Sequence, residues 1–142
     1  MAVNFFAEGV SFKPKQTLKI KAWLKDVAAK EGYQIGTLNY VFCNDEYILE
    51  TNQQYLQHDY YTDIITFDYT ERKKISGDLV VSIDTVKSNA EMLGVDENQE
   101  LCRVIVHGVL HLCGYKDKEK AEELIMRDKE NYYLSKFNVS II

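Results

Sequence analysis

One proline and seven glycines in 142 residues are too few for a collagen-like, linker-rich or low-complexity chain. No apolar run approaches the ~20 residues that a membrane-spanning helix needs. The start Met-Ala-Val-Asn-Phe-Phe also lacks the basic and long apolar regions of a secretory signal, so a cytoplasmic protein with no membrane partner is expected. Cysteine is sparse: Cys43, Cys102 and Cys113 are odd in number, form no Cys-x-x-Cys pair and sit in apolar segments. They read as reduced core thiols, which excludes a disulfide framework. Nor is there an excess of positive charge. With 17 Lys and Arg against 22 Asp and Glu, the net charge of -5 argues against broad, nonspecific affinity for nucleic acid. Lysine-rich stretches such as Lys116, Lys118 and Lys120 leave room for a local basic cleft.

What is present is the composition of one globular domain: 46% apolar and 27% charged residues, with enough length to bury roughly two thirds of the unfolded surface. Residues 3–6 and 10–12 read as short strands. A helix over 15–31 follows, with Leu18, Ala22, Trp23, Leu24 and Val27 on its apolar side and Gly32 as its stop. Residues 34–43 read as a strand, and Asn44 or Asp45 is placed to cap a short helix through about Tyr55. Runs 64–69 and 78–83 have the branched and aromatic content of strands, separated by a connection too short for a crossover helix. Asp84 is placed to cap a helix ending at Gly94, Asp96 and Gln99 to open the next, and a last helix spans about 118–134. This order predicts a single α+β domain over residues 1–142, with a mixed β-sheet packed with helices.

The chemistry concentrates in His107-Gly-Val-Leu-His111-Leu-Cys-Gly114-Tyr-Lys-Asp117. Two histidines four apart share one helix face, so both imidazoles can reach one ion. From Leu101 to Cys113 only Arg103, His107 and His111 are neither apolar nor glycine, which describes a buried central helix with one polar line on a cleft. Gly114 can end that helix in a left-handed turn and return the chain, delivering Asp117 as a third ligand. Asp117 has a competing role as N-cap of the last helix. Two imidazoles and a carboxylate around an open position form a known zinc arrangement for activating water. Zincin peptidases place a glutamate directly after the first histidine; here that position is Gly108, so a peptidase would lack its general base.

These residues resemble the signature His-Gly-x-Leu-His-Leu-x-Gly-Tyr-Asp-His of the YbeY-type endoribonucleases, metalloproteins linked to ribosomal RNA maturation and ribosome quality control. His107, Gly108, Leu110, His111, Leu112, Gly114 and Tyr115 match it. Upstream, Thr62-Asp63-Ile64-Ile65-Thr66-Phe67 and Gly77-Asp78-Leu79 are similar to the family's Thr-Asp-Val-Leu-Ser-Phe and Gly-Asp-Ile. The resemblance covers roughly Leu38 to the C-terminus. It implies one zinc ion held by His107, His111 and the residue at 117, where this chain has Asp in place of His and therefore a less positive site. It also implies cleavage of single-stranded RNA, with ribosomal RNA or its precursors, and ribosomal subunits or ribosome-associated proteins, as partners.

Two departures bear on activity. Leu56 stands where the family carries an arginine expected to meet phosphate, and Lys116 replaces an aspartate beside the metal position. His58 and Lys116 are therefore named as possible contributors to catalysis, and Tyr60, Tyr61 and Tyr115 as aromatics able to stack on bases. Thr62, Asp63, Gly77 and Asp78 are expected to shape the cleft. The missing arginine motivates the competing expectation of a ribosome-assembly or RNA-binding factor with a mainly structural zinc and weak or no catalysis.

Overall fold

The computed structural model describes residues 1–56 and 62–142. In chain order these form β1 (Ala2–Glu8), α1 (Thr17–Lys30), β2 (Gln34–Cys43), α2 (Asp45–Leu56), β3 (Ile64–Asp68), β4 (Lys74–Ser82), α3 (Ile83–Leu93), α4 (Glu97–Leu112) and α5 (Lys120–Leu134). The four strands make one sheet in the order β1-β2-β4-β3. β1 and β4 run parallel to β2, while β3 runs antiparallel to β4. The sheet is mixed because β3 and β4 form a hairpin, whereas the parallel pairs are joined through helices.

Strand alternation sorts the core onto two faces. Leu79 and Val81 of β4 join Leu38, Tyr40 and Phe42 of β2 in the main core, with Ile20, Leu24 and Val27 of α1 and Leu101, Ile105 and Val109 of α4. Val80 points the other way, where Ile65, Cys43 and Ile48 of α2 make a smaller cluster. Helix α4 is the central element: ten of its sixteen residues are buried. Tyr40, fully buried, donates its hydroxyl to the carbonyl of Ile105 at 2.8 Å, fixing this helix against the middle of the sheet. Trp23 stacks on Phe137 and donates its indole N–H to Tyr133 O, which ties α1 to the C-terminal end of α5.

Several local expectations change in the folded chain. β1 is one longer strand, residues 10–12 lie outside any strand, and Gly9 adopts φ 73 at its end. Leu18 is exposed; the buried stripe of α1 is instead Ile20, Trp23, Leu24, Val27 and Ala28. β4 begins at Lys74, four residues earlier than its hydrophobic run, because its start is paired with β2 at Gln34 and Ile35. α3 is capped by Ser82, whose Oγ accepts from Thr85 N–H, and Asp84 lies in the first turn. Asn44 caps α2, accepting from Tyr47 N–H at 2.9 Å. All three cysteines are buried and free. Among the described residues no helix is long and apolar enough to cross a membrane.

Candidate metal centre

Helix α4 starts at Asp96, whose carboxylate accepts from Asn98 N–H at 3.0 Å. It ends in a Schellman reversal: Gly114 N–H donates to His111 O and Tyr115 N–H to Leu110 O. Gly114 has φ 101, a conformation that a side chain resists. The turn brings the chain back over the last two turns of α4. Asp117 then lies with Oδ2 3.2 Å from His107 Nε2 and Oδ1 3.5 Å from His111 Nε2. The two imidazole rings are perpendicular with centroids 5.1 Å apart. One donor atom from each of the three residues lies within 4.8 Å of the others, a group that could hold a metal ion.

Asp117 is not the cap of the last helix. That position belongs to Glu119, whose N–H donates to Glu122 Oε1 at 3.1 Å, and α5 begins at Lys120. The Asp117 carboxylate is therefore directed at the histidines rather than at helix N–H groups.

Sequence reasoning missed Glu130. It projects from the buried stripe Met126, Glu130 and Tyr133 of α5, and its Oε2 lies 2.6 Å from His107 Nδ1. A carboxylate at an inward position of an amphipathic helix was the available signal, because a charge is not left in a core without a partner. Burial alone would lower the His107 pKa, but the hydrogen bond and charge of Glu130, with Asp117 and Asp63, raise it above its ordinary value.

Two cavities open on the group. One, of about 390 Å³, is lined by Asp63, Glu100, Arg103, Glu123, Arg127 and Glu130 together with His107 and Asp117. The other, of about 410 Å³, is lined by Thr62, Asp63, Thr66 and Asp68 with both histidines and Asp117. Among the described residues carboxylates outnumber cations in these walls, so they favour a cation at their centre and form no basic wall. Burial pushes the Asp63 carboxyl above its usual range, opposed by the charge of His107. Burial likewise pushes Glu100 up to about 7, with the charge of Asp63 adding to the effect. The charge of Arg127 opposes that rise, and Arg103 Nε lies 3.3 Å from Glu100 Oε1.

The remaining expected residues divide by face. Asp63 lines both cavities, and its carbonyl accepts from Ser82 N–H. Asp78 lies on the opposite side of the sheet, accepting from Asn39 Nδ2 and the Tyr69 hydroxyl, and does not reach the histidines. Gly77 and Gly108 act by being small. A Cβ at Gly77 would meet Phe67 O at 2.5 Å, and one at Gly108 would meet Leu79 Cδ2 at 2.3 Å and Ile64 Cδ1 at 3.1 Å. Position 108 therefore faces the sheet, and no glutamate could stand there as a base. Tyr115 is half-buried with its hydroxyl donated to Glu31 Oε1 at 2.6 Å, which commits it to holding the loop. Lys116 is exposed and lines neither cavity. Leu56 ends α2 at 42% exposure. His58, Tyr60 and Tyr61 lie outside the described residues.

The fold and the site together define a class: a single α+β domain whose central helix and following turn present a histidine–carboxylate group able to take a metal. The model of the family Endoribonuclease YbeY matches residues 6–138. The chain is 53% identical over 135 residues to Endoribonuclease YbeY of Parabacteroides distasonis, covering 95% of each chain. It is 51% identical to that of Bacteroides thetaiotaomicron, covering 95% of this chain and 98% of the other, and 52% identical to that of Cytophaga hutchinsonii, covering 94% of each. A Thermotoga maritima protein solved in solution superposes with a TM-score of 0.65 at 27% identity, over 94% of this chain and 87% of that one. This chain belongs to the Endoribonuclease YbeY family.

Proposed function

We propose that residues 1–142 form one metal-dependent endoribonuclease domain that cleaves single-stranded RNA and acts in ribosomal RNA maturation and ribosome quality control. One zinc ion is held by His107, His111 and Asp117. The observation that carries this reading is the convergence of two imidazole nitrogens and a carboxylate oxygen within 4.8 Å at the mouth of two cavities. Two nitrogen donors and one oxygen donor suit zinc, and nickel is the nearest competitor for such a set. A bound zinc supplies Lewis acidity and an activated water for phosphodiester hydrolysis.

The chain's own groups do the rest. His107 and His111 project from one face of a rigid helix, so their separation is set by the helix and not by a mobile loop. Asp117 completes the group from a turn that Gly114 makes possible. Glu100, whose carboxyl burial pushes up to about 7, limits the negative charge next to an incoming phosphate. The substrates in this reading are ribosomal RNA or its precursors, met in the cytoplasm with ribosomal subunits or ribosome-associated proteins.

The test is metal analysis coupled to an RNA cleavage assay on the parent chain and His111→Ala. The variant should lose zinc and cleavage together while its circular dichroism spectrum is unchanged. Unchanged cleavage after complete zinc loss would sink the mechanism. Leu56, at the position where the family resemblance implies an arginine, favours one second reading: tight RNA binding without turnover by the zinc-loaded protein would make it an assembly factor with a structural metal.

A further inference from the structure

We propose that Glu130 is the positioning residue of the metal centre: through His107 Nδ1 it holds the imidazole with Nε2 facing His111 and Asp117, and so sets the affinity for a divalent cation. This rests on the metal reading of His107, His111 and Asp117 given above.

The argument starts from cost. Glu130 is 3% exposed, and a buried carboxylate is retained only where something compensates its desolvation. Its two oxygens are treated very differently. Among the described residues Oε1 has no hydrogen bond and only the Arg127 guanidinium at 3.4 Å. Oε2 makes one short contact, 2.6 Å, to His107 Nδ1. The compensation is thus concentrated on the imidazole, in a charge-assisted bond whose length is typical of the strong class.

Geometry then assigns the consequence. A carboxylate has no proton to give at Nδ1, so the neutral imidazole that binds a metal carries its hydrogen there and leaves the Nε2 lone pair free. Nε2 is the atom 3.2 Å from Asp117 Oδ2. The same bond fixes the ring about its χ angles, because Glu130 is carried by α5 and His107 by α4. Partners of this kind make a ligating imidazole more basic and spare it the cost of being ordered on binding. Met126 and Tyr133 pack α5 into the core on either side of Glu130, which gives the carboxylate a rigid mount.

A plain structural tie between α4 and α5 would use the same contact, and the two roles separate in one experiment. Glu130→Met keeps volume and helix propensity but offers only a weakly accepting sulfur, whereas Glu130→Gln restores an oxygen acceptor without the charge. Zinc dissociation constants come from competition with a chromophoric chelator, and unfolding midpoints from the metal-free full chains. Glu130→Met should weaken zinc binding about 10–100-fold, and Glu130→Gln should recover part of that loss. Parent-like zinc affinity in Glu130→Met, with or without a lowered midpoint, would overturn the proposal provided His111→Ala loses zinc. If both midpoint and affinity fall, recovery of affinity in Glu130→Gln supports positioning and its absence refutes it. Equal zinc affinity in the parent and His111→Ala would overturn the metal reading itself, and this inference with it.

Discussion

Asp117 Oδ2 lies 3.2 Å from His107 Nε2, ten positions earlier in the chain, and this contact spans the reversal at Gly114. The carboxylate is free to reach the histidines because the last helix has its own cap two residues later, at Glu119.

Asp117→Asn should therefore separate binding from folding. The amide keeps an oxygen but not the charge, and zinc affinity should fall at least tenfold, or about 1.4 kcal/mol. The thermal midpoint of the metal-free protein should stay within a degree or two of the parent, about the scale of a surface substitution. A chelator-competition titration showing equal affinity would return Asp117 to a loop role.

Gly77→Ala should destabilise the sheet. The added methyl would sit 2.5 Å from the backbone carbonyl of Phe67 on the neighbouring strand and 3.2 Å from Leu112. A backbone atom paired in β3 cannot swing aside as a side-chain tip can, so the strands must part. Urea denaturation should show a loss of about 1–3 kcal/mol, the usual cost of overpacking. A variant as stable as the parent would mean that β3 shifts without cost.

Glu31 gives the fold an acid limit. Its carboxylate accepts from the Tyr115 and Tyr133 hydroxyls, with Lys129 Nζ at 3.4 Å, and so ties α1 to both the Asp117 loop and α5. Burial raises its pKa, but those hydrogen bonds and the lysine charge outweigh it, and the folded value lies below the ordinary 4.5. The sign follows: the contribution is complete above 4.5 and is lost as pH falls through the lower, folded value. With a chelator present throughout, Glu31→Gln should cost about 1.5–3 kcal/mol at pH 7. That gap should narrow below pH 4. A gap that stays constant down to pH 3 would show that the charge contributes nothing.

Within the fold, what was legible in the sequence was whatever repeats over short distances. The strand 34–43 announced itself by branched and aromatic residues, and its bounds agree with β2. The α+β class and mixed sheet followed from the order of elements and from a link too short for a crossover. Boundaries failed where a partner decides them. The first residues of β4 carry no hydrophobic run, yet they are strand because β2 lies beside them. Leu18 reads as apolar-face in the linear pattern and is exposed, since the direction of α1 on the sheet selects Ile20 and Leu24 instead.

The site divides in the same way. By itself the sequence determined that His107 and His111 share a face and that Gly114 can turn the chain, because helix pitch and the conformational freedom of glycine are local properties. Only the tertiary structure decided where the Asp117 carboxylate lies, why position 108 has no side chain, and that Glu130 stands behind His107. Each of those depends on how α4 sits against β4 and α5, and such packing distances are set by contacts between residues far apart in the chain.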